Sequence, residues 1–203
     1  MNTRPERPSS RERLLDATVT LMRVKGPTGS GTKQILDAAA APRGSFYFHF
    51  PEGKDQLVLE SLERASAATA KSLDEAFVND TQDLRAQIKA YFAAIAADLV
   101  ASDYRLGCAV GATTLETAST TPTFQLATAS AFLSWTSTLT TRLRARGLTP
   151  ERAAATADAL VSAMEGATML ARARRDPAPL AHAADVLALS IEAASTGQES
   201  CID

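Results

Sequence analysis

Glycine and proline interrupt this sequence at intervals of helix length, and the segments between them carry apolar residues at helical spacing. Alanine is abundant, and β-branched residues do not alternate with polar ones as they do in strands, so both features favour helices. The interruptions predict an all-α fold of nine helices. They are Gly26-Pro27, Pro42, Pro51-Glu52-Gly53, Asn79-Asp80-Thr81, Asp103–Gly107, Thr121-Pro122, Gly147 and Asp176-Pro177-Ala178-Pro179.

The segment from Lys33 to Lys54 is rich in aromatic residues, since it contains four of the eleven in the chain and one of the two histidines. Pro42 separates a short apolar stretch from the aromatic stretch that follows, which predicts two short helices joined by a tight turn. That arrangement is a helix-turn-helix. Phe46 and Phe50 lie four residues apart, so we expect them to share one helix face and to anchor the second helix in a small core.

The other residues of this second helix are suited to a nucleic acid. Arg43, Ser45, Tyr47 and His49 lie off the apolar face, and polar-tipped rings beside a cation suit phosphate oxygens. Gly44 removes a side chain where a short helix must approach a DNA backbone closely. Each residue taken singly fits a solvated surface equally well, but the cluster on a helix-turn-helix favours DNA.

Charge is distributed unevenly along the chain. Residues 1–54 carry nine Lys and Arg against five Asp and Glu, a net charge of +4. The whole chain has a net charge of −2, so the remaining residues carry −6. A basic N-terminal part on an acidic body favours contact between that part and a polyanion.

Other functional classes have little support in the sequence. Cys108 and Cys201 are isolated thiols that we expect to be unpaired, and with only two distant histidines no metal site or cofactor is expected. No Ser/His/Asp set, phosphate-binding loop or pair of carboxylates indicates an enzyme. No apolar run has the length of a membrane span, and the first residues lack the apolar core of a secretory signal. We therefore expect a cytoplasmic protein.

Three features together resemble the N-terminal domain of the TetR family of bacterial transcriptional regulators. They are the leading helix RERLLDA, the segment PRGSFY-x-HF and the lysine that opens the fourth helix, all within residues 9–63. The five later helices agree in number and length with the family's ligand-binding and dimerisation domain. The expected organisation is an N-terminal arm and three-helix helix-turn-helix domain at 1–53, a connecting fourth helix at 54–77 and the ligand-binding and dimerisation domain at 78–203. A further likeness to drug- and flavonoid-responsive repressors of the family rests on the FPEGK turn, Gly107–Val110 and Leu115-Glu116.

The resemblance implies a homodimer that places one recognition helix per subunit in successive major grooves of a near-palindromic operator. By matching position, the phosphate contacts fall to Tyr47, His49 and Lys54, and the base edges to Arg43, Gly44 and Ser45, with Thr32 and Lys33 on the preceding helix.

Two positions depart from the family pattern. Ala40 stands where the turn commonly has glycine, so the turn needs an αR-compatible geometry or carries some strain. Phe48, which we count among the DNA-facing residues, occupies a position that often carries a hydroxylated or imidazole ring. A phosphate hydrogen bond is therefore expected to be missing there.

An effector pocket is expected among the central helices, from about residue 82 to about residue 170, and an apolar lining with few charges favours a small hydrophobic effector. Trp135 has small and hydroxylated neighbours that leave room beside it, and Glu116 and Glu165 are placed to pair with polar groups of a ligand. Ordinary core packing, or an exposed carboxylate, is the alternative for each residue. The expected lining comprises Phe92, Ile95, Leu99, Cys108, Thr113, Glu116, Phe132, Trp135, Met164, Glu165 and Met169.

The last two helices are expected to form the dimer interface, as a four-helix arrangement with those of a second subunit. Their small residues permit close helix packing, and packing within one chain is the alternative. The residues expected at the interface are Ala153, Ala154, Ala157, Leu160, Val161 and Met164, then Leu180, Ala184, Leu187 and Ile191.

The sequence thus predicts a ligand-responsive, sequence-specific transcriptional repressor that binds double-stranded DNA as a homodimer and is released by a small apolar inducer. An architectural or cell-division DNA-binding protein with the same N-terminal domain and no inducer is the alternative. A filled core between the fifth and eighth helices would favour that alternative. A helical scaffold that binds no DNA is a third possibility.

Overall fold

The computed structural model describes residues 8–196, with side chains up to residue 191, and over this range the chain forms nine α-helices and no strand. This confirms the prediction of an all-α fold. Among the described residues no helix combines the length and the apolar character that crossing a bilayer requires. The helices are α1 (Ser10–Gly29), α2 (Thr32–Ala38), α3 (Arg43–His49), α4 (Lys54–Phe77), α5 (Leu84–Ala101), α6 (Ala109–Thr117), α7 (Pro122–Ala145), α8 (Pro150–Arg174) and α9 (Ala178–Thr196).

Side-chain caps explain where several helices begin. Ser9 and Glu12 form a capping box at α1: the Ser9 hydroxyl accepts from the Glu12 N–H at 3.2 Å, and the Ser9 N–H donates to the Glu12 carboxylate at 3.1 Å. Thr149 caps α8, whose first residue is Pro150. These bonds satisfy backbone N–H groups that have no partner within the helix.

The fifth helix begins two residues later than the sequence predicts. Apolar residues at helical spacing predict a helix from Gln82 to Ala101, but Asp83 is the capping residue, and its carboxylate accepts from the Arg85 N–H at 3.1 Å. The preceding turn is closed by Asn79, whose side-chain oxygen accepts from the Thr81 N–H at 3.1 Å. The capping hydrogen bond thus locates the start of α5 more accurately than the spacing of apolar residues does.

The end of α1 contains a break at the predicted Gly26-Pro27 signal. Lys25 and Gly26 leave the helical conformation, with Gly26 at φ +68°, and a single helical turn follows before Ser30. The Ser30 hydroxyl donates to the Gly26 carbonyl at 2.7 Å. A conformation with positive φ favours glycine, so Gly26 makes this change of direction possible.

The chain divides into two compact units. The first comprises the residues up to Ala65 together with Ala109–Ala131, and the second comprises Ser66–Cys108 together with the residues from Phe132 onward. Within the first unit α6 packs against α1. Within the second unit α9 packs against both α5 and α8. The association of α6 with the N-terminal helices is not visible in the sequence, because the contacting residues are about 90 positions apart along the chain.

The connection between α5 and α6 is held by arginines from the end of α8. Asp103 and Tyr104 both have positive φ, +53° and +58°. Arg172 donates to the Tyr104 and Arg105 carbonyls at 3.4 and 3.1 Å. Arg175 pairs with the Asp103 carboxylate and lies over the Tyr104 ring, with 5.5 Å between the guanidinium carbon and the ring centroid. These contacts offset the cost of two consecutive left-handed residues.

The residues expected at the dimer interface on α8 and α9 lie mostly inside the subunit. Ala154 is the exposed exception, and Leu187 and Ile191 are half-buried. Periodicity identified an apolar face correctly, but that face packs within the chain, because α9 contacts α5 and α8. The buried members of the set are Ala153, Ala157, Leu160, Val161, Met164, Leu180 and Ala184.

The turn between α2 and α3 is built with a left-handed alanine. Ala40 has φ +46°, and its N–H donates to the Asp37 carbonyl at 3.2 Å. The Ala41 N–H donates to the Leu36 carbonyl at 3.1 Å, so the turn closes the end of α2. Of the two geometries that the sequence left open, the chain adopts the strained one.

Replacing Ala40 by glycine should therefore leave the free energy of unfolding unchanged or raise it by up to about 1.5 kcal/mol. Relief of the left-handed conformation is worth about 1–2 kcal/mol, and the lost backbone entropy costs about 0.5–1 kcal/mol. The matched control is Ala38→Gly, an exposed position in the last turn of α2, which should lower stability by about 0.5–1 kcal/mol. Urea unfolding followed by circular dichroism measures both, and an equal loss in both variants would contradict the strain at Ala40.

Candidate functional site

A small apolar core fixes the position of α3. Phe46 and Phe50 are 2% and 0% exposed, and their ring centroids are 6.0 Å apart. Their four-residue spacing places both rings on the same side of the helix, as the sequence predicts. They pack in a cluster with Leu14, Leu15, Ile35, Leu36, Ala39 and Leu57. The opposite side of α3 is thereby directed to the surface.

The outward side of α3 carries the residues predicted to face DNA. Arg43 and Gly44 are exposed and Ser45 is half-buried. Tyr47 is 61% exposed and Phe48 is 81% exposed. The fold thus brings these five residues together on one short helix and leaves them accessible.

Gly44 has no internal reason to be glycine. It lies within α3 with a helical backbone, and a Cβ atom built on it would meet no atom within 4 Å. By contrast, Gly53 adopts φ +83° in the following turn, a conformation that itself favours glycine. A glycine in a helix costs about 0.5–1 kcal/mol relative to alanine. Packing within the chain therefore gives no reason for glycine at position 44.

His49 and Lys54 each use one polar atom within the protein. The Nε2 atom of His49 hydrogen-bonds with the Ser10 hydroxyl at 2.8 Å, which ties the end of α3 to the start of α1. Lys54 Nζ donates to the Pro27 carbonyl at 2.8 Å. A phosphate contact at His49 needs the other ring nitrogen, whereas the ammonium of Lys54 retains two more donors. On the preceding helix Lys33 is exposed and Thr32 is half-buried at its first position.

Two arginines that add to the basic N-terminal charge have structural partners. Arg13 donates to the Ala39 carbonyl at 3.0 Å and to the Pro8 carbonyl at 2.7 Å. Arg11 pairs with the carboxylate of Glu60, and its guanidinium carbon lies 5.6 Å from the centroid of the Phe50 ring. These contacts stabilise the packing of the helix-turn-helix within the first unit. Sequence reasoning missed them because the partners are distant in the chain or are backbone atoms.

Glu116 and Thr113, both expected in the effector pocket, belong to the first unit, with α1–α3. The Glu116 carboxylate accepts from the Thr28 N–H at 3.0 Å. A Cβ atom on Gly26 would lie 1.8 Å from the Glu116 carboxylate oxygen, so that oxygen occupies the space left by the glycine. Thr113 is buried and its hydroxyl donates to the Ala109 carbonyl at 2.8 Å. In this structure both residues have local structural partners.

The remaining expected pocket residues lie in the second unit, but they differ in burial. Phe92, Leu99, Trp135 and Met164 are buried, whereas Met169 is 53% exposed. The half-buried members are Ile95, Cys108, Phe132 and Glu165.

Trp135 is packed rather than bordered by open space. It is 0% exposed, its indole N–H donates to the Ser66 carbonyl at 3.0 Å, and Phe132 meets it edge to face at 5.1 Å between centroids. The room expected beside it is absent because the side chain is fully buried and already contacts the Ser66 carbonyl and the Phe132 ring.

A cavity between α5 and α8 in the second unit has a volume of only ≈ 10 Å³. This is about the volume that one water molecule needs. A small-molecule effector cannot enter this space unless side chains move. The cavity is lined by Leu73, Phe77, Tyr91, Phe92, Leu139, Leu160, Val161 and Met164.

A polar cluster lies in the same unit. Burial raises the pKa of the Glu165 carboxyl, and a hydrogen bond with Cys108 acts in the opposite direction. Burial also raises the pKa of the Tyr91 hydroxyl, which a hydrogen bond with Ser72 partly offsets. A carboxyl group that holds its proton can donate a hydrogen bond as well as accept one. Among the side chains that the structure describes, up to residue 191, no group of three His, Cys, Asp or Glu is arranged to hold a metal ion.

Comparison with known proteins gives consistent similarities. Residues 14–61 match the family model of bacterial regulatory proteins of the tetR family, and residues 85–186 match that of the LmrA/YxaF-like transcriptional regulator C-terminal domain. An uncharacterised HTH-type transcriptional regulator of Mycobacterium tuberculosis is 33% identical over 175 residues, 84% of this chain and 88% of that protein. The HTH-type transcriptional regulator LmrA of Bacillus subtilis is 28% identical over 173 residues, 85% of this chain and 92% of that protein.

A solved structure shares the whole architecture. The regulatory protein TetR from Rhodobacter sphaeroides superposes with a TM-score of 0.79 at 26% identity, covering 88% of this chain and 97% of that one. Like the two sequence relatives, it is described as a regulatory protein and not as an enzyme.

The raised pKa of Glu165 makes stability depend on pH. Because the folded protein holds this proton more tightly than the unfolded chain, the contribution of Glu165 to stability is present at acidic pH. It is lost as the pH rises through the folded pKa. Glu165→Gln should remove this loss and be more stable than the wild type near neutral pH. Thermal unfolding from about pH 4, near the ordinary pKa of glutamate, to about pH 8 measures the difference.

Cys108→Ala provides the matched variant. It removes the hydrogen bond that opposes the rise in the Glu165 pKa, so the fall in stability should move to higher pH. Identical pH profiles for the wild type and Glu165→Gln would contradict the role of this carboxyl.

Proposed function

Because the chain belongs to the TetR family of bacterial transcriptional regulators, we propose that it is a homodimeric repressor that binds a near-palindromic operator through α3 and is released by a small apolar inducer. The observation that carries the DNA-binding part is the outward side of α3. There a cation, a polar ring and a glycine without an internal role stand together. Such a surface suits phosphate oxygens and base edges in a major groove.

Homodimerisation is supported by a second stripe on α8 and α9, opposite to the face that packs inside the subunit. The exposed residues of this stripe are small or apolar, apart from His182, and recur at intervals of three or four positions. The Cβ position of Gly166 is open, so a second helix can approach closely there. The stripe comprises Ala155, Ala159, Ser162, Gly166, Met169 and Leu170 on α8, and His182, Val186 and Leu189 on α9.

Release by an inducer would follow from linkage. A ligand that binds better when the two recognition helices are wrongly spaced for the operator must weaken DNA binding by the same factor. Because the cavity between α5 and α8 is so small, an inducer must displace side chains of the second unit to bind there. Such a displacement of side chains would couple ligand binding to a change in helix packing.

An architectural DNA-binding protein without inducer is the second candidate function. The specific observation in its favour is that the same apolar cavity measures only ≈ 10 Å³, whereas a pocket for a drug-sized ligand usually measures about 300–1,000 Å³. Two larger spaces in this unit, of ≈ 540 and ≈ 670 Å³, are open surface grooves rather than enclosed pockets. Both candidates share the DNA-binding surface and differ only in their response to small molecules.

Operator binding is tested with Arg43→Ala and Gly44→Ala. Wild-type protein should shift a duplex from the region upstream of its own gene, and each variant should bind about tenfold or more weakly, as expected for a lost base or backbone contact. Gly44→Ala should also be up to about 1 kcal/mol more stable, because alanine is the better helix former. Mobility shift and urea unfolding measure affinity and stability separately.

The matched control for charge is Arg174→Ala, an exposed arginine at the end of α8. It removes the same charge and should bind the duplex as the wild type does. Equal binding of the duplex by the wild type, Arg43→Ala and Gly44→Ala would contradict the assignment of α3 as the DNA-binding helix.

Inducer binding is tested with a panel of apolar compounds. A compound that enters the second unit should raise the unfolding temperature, change the fluorescence of the single tryptophan, Trp135, and release the protein from its duplex. Compounds that do none of these while DNA binding persists would favour the architectural protein.

A further inference from the structure

Phe48 has the highest exposed fraction among the large apolar side chains that the structure describes, at 81%. The two other phenylalanines of the α3 segment, Phe46 and Phe50, are almost fully buried. An exposed phenyl ring loses the stabilisation that its burial would provide, about 1.5–3 kcal/mol. The fold of the first unit therefore gives no reason for a phenylalanine at position 48.

The ring of Phe48 is nevertheless supported. Its centroid lies 5.0 Å from that of His49, with the two planes at 76°. His49 is itself fixed by the hydrogen bond between its Nε2 atom and the Ser10 hydroxyl. An edge-to-face contact with an anchored imidazole limits the motion of the phenyl ring and lowers the entropy lost when it meets a partner.

The chemistry of the ring restricts what that partner is. A phenyl group neither donates nor accepts a conventional hydrogen bond, so it gains little from phosphate oxygens or from the polar atoms of base edges. The major groove of B-DNA displays one apolar group, the C5-methyl of thymine. Phe48 stands between Tyr47 and His49 on the helix whose outward side we assign to that groove.

We propose that Phe48 contacts the C5-methyl group of a thymine in each half of the operator and makes binding selective for that base pair. This inference rests on the proposed function, because it requires α3 to lie in the major groove. It also accounts for a ring without a hydroxyl or imidazole group at this position: selectivity for a methyl group replaces a phosphate hydrogen bond.

The test removes the methyl group alone. A duplex is selected by the wild-type protein from a pool of random sequences, and each thymine of its recognition core is then replaced in turn by uracil, which lacks only the C5-methyl. Fluorescence anisotropy measures the dissociation constants of the wild type and Phe48→Ala. For the wild type, one thymine position per half-site should lose about fourfold in affinity on replacement, the effect of removing one buried methyl group.

Phe48→Ala should bind the thymine duplex more weakly than the wild type and show no further loss with uracil at that position. Because the ring is exposed, the variant should unfold at the wild-type temperature. Phe48→Leu keeps an apolar group and should retain part of the sensitivity to uracil. Tyr47→Phe is the matched control next to it and should keep the full fourfold effect. 5-Methylcytosine also carries a C5-methyl group in the major groove. The selection pool contains no modified bases, so binding that depends on this methyl group can come only from thymine.

The outcomes separate this inference from the function on which it rests. If a duplex is selected and uracil weakens the wild type and Phe48→Ala equally, or weakens neither, the contact with thymine is wrong while operator binding stands. If no duplex is selected and Arg43→Ala binds DNA as the wild type does, the proposed function is wrong and this inference with it.

Discussion

The packing of Phe46 and Phe50 against α1, α2 and the start of α4 is the interaction on which the surface of α3 depends. A seven-residue helix is too short to be stable by itself, so its orientation is set by this contact rather than by its own hydrogen bonds. With both rings buried, every outward residue of α3 has a fixed direction. The same core includes Leu14 and Leu15, so the first helix helps to support the proposed DNA-binding surface.

The basic residues of the N-terminal part fall into two groups: some make contacts within the protein, and others remain exposed. Arg11 and Arg13 make contacts within the protein, and Lys54 donates one hydrogen bond to a backbone carbonyl. Arg43 remains exposed on α3, which forms the proposed recognition surface, and Lys33 remains exposed on α2, which precedes it. A count of basic residues therefore overstates the hydrogen-bond donors available to a polyanion, because several cations already donate to carbonyl groups or pair with carboxylates.

Local signals predicted the fold well, and the sequence could not supply the long-range partners. Glycine, proline and capping residues act on their immediate neighbours, so the nine helices and the ends of α4 followed from the sequence. The outward residues of α3 followed from four-residue spacing. By contrast, the pairing of Glu116 with the Thr28 N–H joins positions far apart in the chain, and no periodicity indicates it.

The interior of the second unit was the least predictable part. Alanine spacing on α8 and α9 identifies a face that packs closely, but it does not distinguish packing within a chain from packing between chains. Trp135 was expected to border a pocket because its neighbours are small, yet the Ser66 carbonyl and Phe132 occupy that space. Small residues allow either a cavity or a close approach of another helix, and only the tertiary arrangement decides between them.

The close fit of Glu116 against Gly26 has an evolutionary consequence. Any side chain at position 26 would meet the carboxylate of residue 116 and would also have to adopt a left-handed backbone. Shortening residue 116 removes the first obstacle and not the second. Position 116 therefore has no steric limit while position 26 stays glycine, but shortening it gives up the hydrogen bond to the Thr28 N–H. A side chain at position 26 must both displace the carboxylate of residue 116 and strain the backbone of α1, so the effects of substitutions at the two positions are not additive.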